Sequence, residues 1–135
     1  MKKKYSMRCL VFAVLVMASA FSSCSKNEED IAAPSITFIH PLENDTVQLQ
    51  SGFISLVVMA QDNVNLRDME MNLKDKSGTV LYSYDQDNIE NTAYTCDEKF
   101  YPSGITKVTE MKLSVMFSNE FKNWTSKTIT FYVKP

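Results

Sequence analysis

From Pro34 onward the chain repeats one pattern: short runs with an apolar residue at every second position, broken by turn-forming residues. Lys107 to Phe117 sets Met111, Leu113, Val115 and Phe117 on one side. Ser126 to Val133 does the same with Ile129, Phe131 and Val133. Arg67 to Asp75 alternates Met69, Met71 and Leu73 against Asp68, Glu70, Asn72 and Lys74. A period of two puts every apolar residue of a strand on one face, whereas a helix would scatter them. Leu66, Met69 and Leu73 also fit a helical stripe. The Asp75-Lys76-Ser77-Gly78 turn that follows favours a hairpin of strands instead.

Taken in order, Ser35 to His40 is a short strand stopped by Pro41, and Thr46 to Leu49 is a second, after the turn Leu42-Glu43-Asn44-Asp45. Phe53 to Ala60 is the strongest. Ile54, Leu56, Val58 and Ala60 share one face, while Phe53, Val57 and Met59 make the other apolar too, as in a central strand covered on both sides. Gln61 to Asn65 reads as a polar loop. Thr79 to Tyr84 completes the hairpin, Asp85 to Thr92 is an acidic loop, and Ala93 to Tyr101 is a further strand ended by Pro102-Ser103-Gly104. Ser118 to Thr125 is the last loop. About seven strands with regular turn signals predict an all-β domain, an immunoglobulin-like antiparallel β-sandwich. The antibody hallmarks are missing. There is no cysteine pair, and Trp124 precedes the last strand.

The first 33 residues are of a different kind. Lys2, Lys3, Lys4 and Arg8 precede an uncharged, mostly apolar run from Cys9 to Phe21, too short to span a membrane, which takes about 20 residues. Ser22-Ser23-Cys24 closes it. The arrangement resembles a bacterial lipoprotein signal and its lipobox, in which the cysteine accepts lipid. Phe21 stands where leucine is usual. The alternative is an ordinary cleaved signal with Cys24 incidental. The expected organisation is a signal peptide at 1–23, an acidic flexible tether at 24–33 and the domain at 34–135. Lipid on Cys24 would hold the protein to a membrane, since each buried methylene contributes about 0.8 kcal/mol. Ser25, Lys26, Asn27, Glu28, Glu29 and Asp30 form the tether. They resemble the acidic export tract of surface-exposed Bacteroidota lipoproteins, and are equally a solvated spacer. The expected location is the outer membrane, facing the cell surface; a periplasm-facing anchor is the alternative.

Charge and cysteine content narrow the partners. The signal holds four of the 14 Lys and Arg and none of the 16 Asp and Glu, so the remainder carries a net charge of −6. That argues against nucleic acid as a partner. With Cys9 removed and Cys24 lipidated, Cys96 has no disulfide partner and reads as a buried core thiol sharing parity with Tyr94 and Phe100. One histidine (His40), three glycines and no metal-ligand or nucleophile spacing leave little from which to build an enzyme.

Pro34-Ser35-Ile36-Thr37-Phe38-Ile39-His40-Pro41, the strand leading into Gln61-Asp62, and the closing runs Leu113-Ser114-Val115 and Ile129-Thr130-Phe131-Tyr132-Val133 are together similar to Ig-like domains of Bacteroidota lipoproteins. These include a domain-of-unknown-function group with the same lipobox and acidic tether. The resemblance implies a spacer, a binding module or an accessory part of a surface assembly. Many such modules carry an Asp-x-x-Gly-Asn turn before the last strand. Here Asn123 matches the turn's asparagine, Lys122 stands at its glycine, and the first aspartate is absent.

Three candidate sites follow. Phe121 and Trp124, flanked by Asn119 and Asn123, offer aromatic faces beside amides, a combination that suits a glycan or protein ligand; the alternative is Trp124 packed as a lid on the core. Asp62, Asn63, Asn65 and Asp68 should share an end of the domain with Glu120, and could offer calcium its six to eight oxygens; the alternative is a turn capped by its own side chains. Asp45-Thr46-Val47 resembles the O-glycosylation sequence of Bacteroidota, with Thr46 as acceptor, or is simply a turn entering a strand. The reading is a non-catalytic, lipid-anchored binding or accessory domain. The alternative is a structural or adhesive subunit or spacer, with calcium as a candidate stabiliser.

Overall fold

A computed structural model describes residues 32–49 and 51–135; the signal, Cys24 and the tether residues Ser25 to Asp30 lie outside them. The described residues form β1 (Ser35–His40), β2 (Thr46–Gln48), β3 (Ile54–Asp75), β4 (Val80–Gln86), β5 (Asn91–Phe100), β6 (Thr109–Asn119) and β7 (Trp124–Lys134). All belong to one curled, mixed sheet in the order β1-β3-β6-β7-β2, with β4 and β5 also paired to β3.

The 22-residue β3 is the spine. Its first part pairs with β1 on one side and β5 on the other, Val58 lying opposite both Phe38 and Cys96. Its second part pairs with β4 and β6, Met71 lying opposite Tyr84 and Val115. The neighbours change across residues 62–65. There the register with β5 jumps from Gln61↔Ala93 to Leu66↔Asn91, and that with β6 shifts between Leu66 and Met69. The inward positions change parity between Leu66 and Met69, where the register with β6 shifts. Ile54, Leu56, Val58, Ala60 and Leu66 are buried, then Met69, Met71 and Leu73. An irregularity that inserts residues into one strand does this, because one extra residue exchanges the two faces.

Gln61 to Asn65 is therefore no separate loop: two expected strands are one, and the polar stretch is an irregular passage within it. The Asp85–Thr92 loop likewise shrinks, with β4 running to Gln86 and β5 starting at Asn91. Trp124 opens the last strand instead of preceding it. The outer face of Phe53 to Met59 is only half-buried, so this strand is central within the sheet but not covered on both faces.

The antiparallel expectation fails at one pair. β2 runs parallel to β7, Thr46 beside Tyr132 and Gln48 beside Lys134. The short connection 41–45 carries the chain from the β1 edge to the β7 edge. Asn44 donates its backbone N–H to Thr130 O (2.7 Å), and Tyr132 donates to Asp45 O (2.7 Å). Alternation within three residues says which side chains share a face and nothing of the partner's direction.

The core is continuous. Ile36 and Phe38 from β1, Met111 to Phe117 from β6, and Ile129 to Val133 from β7 join the buried β3 residues. At roughly 1.5–3 kcal/mol per fully buried large side chain, this cluster dominates stability. Cys96 is buried in it, 2% exposed, as the alternation implied.

Candidate functional site

The β6–β7 hairpin is where the sequence placed its ligand residues, and it is built around Asn119. That side chain is fully buried. Its Oδ1 accepts the backbone N–H of Phe121 (3.1 Å) and of Asn123 (3.0 Å). Its Nδ2 donates to the Ala32 carbonyl and to Asp62 Oδ2, both at 3.1 Å. Asn119 N–H donates to Asn123 O, and Lys122 N–H to Asn119 O, each at 2.9 Å. One amide thus folds the turn from inside and ties it to the irregular passage of β3. Lys122, at the glycine position, adopts φ 64°, a left-handed backbone costly for a residue with a Cβ.

Because Asn119 is occupied internally, it is a positioning residue of the hairpin and offers no amide to a ligand. What the hairpin presents outward is aromatic. Trp124 is 63% exposed and Phe121 49% exposed. The β6–β7 register runs without a shift from Thr109↔Val133 to Ser118↔Trp124. Trp124 therefore shares the outward face of β7 with Ser126 and Thr128, opposite to Ile129, Phe131 and Val133. It is not a lid on the core. Asn123 is half-buried beside it.

The calcium candidates do meet at one end, as expected. Asp62 reaches Asn119, and Glu120 donates its backbone N–H to Asn65 O (3.0 Å). Two of their carboxylates, those of Asp62 and Asp68, have partners. Asp62 Oδ1 accepts Asn63 N–H (2.7 Å), and Asp68 Oδ2 accepts the Ser118 hydroxyl (3.2 Å) and lies 3.5 Å from Arg67 Nε. Among the described residues no three His, Cys, Asp or Glu side chains gather as a metal group.

Thr46 is exposed on β2, beside a shallow cleft of about 540 Å³ that His40, Asp45 and Phe53 also line. Cys96 is followed in β5 by Asp97 and Glu98. Burial first, then the charges of Glu98 and Asp97, pushes its thiol up to about 12, so it stays protonated and unreactive at neutral pH. A second cleft, about 510 Å³, lies on the outward face of β3 and β4 between Asp68, Glu70, Ser83, Asp85, Asp87 and Met116. The sequence shows these acids but not their grouping, which needs the β3–β4 register.

No family model matches the sequence, and no curated protein matches it. Solved structures do share the fold. An engineered protein is similar with a TM-score of 0.56 at 12% identity, over 77% of this chain and 21% of that one. The Escherichia coli chaperone DraB is similar with a TM-score of 0.51 at 10% identity, over 77% of this chain and 56% of that one. The chain thus spans about a fifth and just over half of their lengths, and the likeness is one of fold alone.

Proposed function

We propose that this protein is a lipid-anchored cell-envelope lipoprotein whose folded part is an immunoglobulin-like β-sandwich. It acts as a non-catalytic binding or accessory domain with the Asn119–Trp124 hairpin as its contact surface. The observation that carries the reading is the outward exposure of Trp124 and Phe121 on a turn whose backbone is held by a buried side chain. Large aromatics presented on a rigid support are the usual anchors of recognition surfaces, because they bring contact area with little conformational entropy to lose. The ligand class that suits such faces is a glycan or a protein loop. The immunoglobulin-like assignment draws on the division of β3 between two sets of neighbours and on β2 lying alongside β7. The anchor draws on Cys24 at the end of its apolar run, and the surface location on the acidic tether.

The chain holds a single tryptophan, so ligand contact can be read from its emission. The full chain in detergent is tested on an array of immobilised polysaccharides and mucin glycans, alongside Trp124→Ala and Phe121→Ala. The expected result is binding that Trp124→Ala weakens at least tenfold without lowering Tm, with an emission change on adding the bound glycan in solution. Binding that both variants retain would remove the hairpin from the reading. Protease shaving of intact cells, with and without Glu28/Glu29/Asp30→Ala, tests the surface location.

A further inference from the structure

The outward face of β3 and β4 carries a charge pattern that neither the core nor the turns explain. In the β3–β4 register Glu70 lies directly opposite Asp85, and Asn72 opposite Ser83. Continued by one pair beyond Met69↔Gln86, the same register sets Asp68 toward Asp87. Residues two apart in a strand share a face, so these pairs stand in line along it. Two successive pairs are carboxylate against carboxylate, and they line one cleft of about 510 Å³. Asn72 donates to Glu70 and accepts the Ser83 hydroxyl (3.0 Å), which holds the Glu70 side chain in its place. Among the described residues one cation meets these four acids: Arg67, whose Nε lies 3.5 Å from Asp68 Oδ2. Like charges directly opposite in a sheet are destabilising. A face that needs only to be wetted is served by mixed signs; opposed pairs of one sign cost stability and keep a negative potential.

The same face runs on across the sheet to the hairpin. Ser118 donates its hydroxyl to Asp68 Oδ2 (3.2 Å) and is paired with Trp124. Met116, opposite Glu70 on β3 and Ser126 on β7, is 36% exposed. Glu70 and Met116 form the common wall of the acidic cleft and of a smaller one, about 150 Å³, that Asn72, Ser114 and Ser126 also line. From β3 to Trp124 on β7 is two strand spacings, about 10 Å. The outward side is thus one surface, acidic over β3 and β4, apolar at Met116, and aromatic at Trp124.

We infer that this face docks an extended basic segment of another protein, with two Lys or Arg side chains two residues apart, one at each carboxylate pair. The inference deepens the hairpin reading by naming its ligand as a protein segment, and rests on that reading for the Trp124 end of the surface. Charge complementarity selects the sign of the partner. Spacing selects a peptide. An extended chain sets side chains of one side about 6.6–6.8 Å apart, which is also the distance between successive pairs along β3. A segment laid along β3 and β4 therefore meets the Glu70–Asp85 pair with one residue and the Asp68–Asp87 pair with the residue two further on. The long stems of Lys and Arg cover Met116 while their heads reach the carboxylates. A flanking side chain of the partner reaches Trp124, whose ring face attracts a cation. Binding removes a repulsion that the free domain carries.

Peptide titration tests it. A fluorescein-labelled octapeptide of alternating lysine and serine is titrated with the full chain in detergent at low salt and followed by anisotropy. A peptide of the same composition with its lysines in one block is the control. The expected result is saturable binding of the alternating peptide, at least threefold tighter than that of the block peptide. Glu70→Gln/Asp85→Asn should weaken it at least tenfold and, by removing the opposed charges, raise Tm by about 2–5 °C. Glu28→Gln/Glu29→Gln, which removes the same charge from the tether, should change binding less than twofold. Equal affinity for the two peptides, equal loss in the two variants, or a Tm of Glu70→Gln/Asp85→Asn no higher than the parent's would each overturn the inference. Binding of a glucosamine oligomer in place of the peptide would give the face to an amino sugar and overturn it too. The two readings fail separately. Array binding that depends on Trp124, with no peptide binding, overturns the basic segment and leaves the hairpin. Array binding indifferent to Trp124, with peptide binding lost in Glu70→Gln/Asp85→Asn, removes the hairpin and leaves the carboxylate pairs as the docking site.

Discussion

Replacing Asn119 by aspartate changes one atom's chemistry and almost no volume, so it isolates what the amide does. The carboxylate keeps the two bonds from Phe121 and Asn123 N–H, and being charged it strengthens them, by about 1 kcal/mol each. It loses both donors. The Ala32 carbonyl is left without its bond, at about 1–3 kcal/mol. The larger effect is at Asp62, whose Oδ2 lies 3.1 Å from the amide nitrogen. Two carboxylates at that distance repel by about 5 kcal/mol at an effective dielectric near 20, and the partial exposure of Asp62 reduces this by roughly half. The introduced carboxyl can escape by keeping its proton. Doing so at pH 7 costs at most about 4 kcal/mol, from roughly 1.4 kcal/mol for each pH unit above its unfolded pKa near 3.9. The terms combine to a destabilisation of about 1.5–3.5 kcal/mol at pH 7.

The sign of the pH dependence follows. The folded-state pKa of the new group is raised, so its damage is full at pH 7 and fades as pH falls toward 4. Urea unfolding followed by far-UV circular dichroism measures this at pH 7 and 4.5, tryptophan being exposed and a poor reporter of unfolding. Adding Asp62→Asn restores a donor facing the new carboxylate, and the double variant should recover at least 2 kcal/mol in a mutant cycle. A loss below 0.5 kcal/mol for Asn119→Asp at pH 7, or no coupling to position 62, would refute the account of Asn119 as the hairpin's internal tie.

Four further outcomes are expected. Lys122→Gly, at φ 64°, should raise stability by about 0.5–1 kcal/mol in the same urea assay, because glycine holds a left-handed backbone without the Cβ clash. The raised Cys96 thiol contributes stability that is complete below its unfolded pKa near 9 and is lost as pH climbs toward 12. The Cys96 contribution to the unfolding free energy, read as the difference from Cys96→Val, should therefore fall by about 1.4 kcal/mol per pH unit over that window. Iodoacetamide at pH 8.5 should alkylate Cys96 at least tenfold faster in urea than in the folded chain. Trp124→Ala and Phe121→Ala should each leave stability within about 0.5 kcal/mol of the parent, as exposed positions do; a loss of 2 kcal/mol would mean these rings pack as part of the fold.

The apolar alternation was enough to read the strands and the inward face, because a side-chain period of two is a local property of extended chain. Met111 to Phe117 and Ile129 to Val133 are buried where the pattern puts them, and Cys96 with them. The Asp75–Gly78 turn was legible for the same reason: Asp75 takes the N–H groups of Ser77 and Thr79, a bond pattern that needs only neighbouring residues.

What it could not supply were relations between distant residues. The union of two expected strands into β3 depends on β1, β5, β4 and β6 each taking a length of it, and a polar stretch reads the same in a loop as in an irregular strand. The parallel direction of β2 is set by backbone bonds to β7, which side-chain parity does not record. Asn119 was visible as a loop amide beside Trp124; its burial comes from Ala32 and Asp62, 87 and 57 residues away. The sequence determined which side chains share a face, since that is written in each strand's own period. The tertiary structure decided which faces and edges remain open, since exposure is what is left after every other element has taken its place.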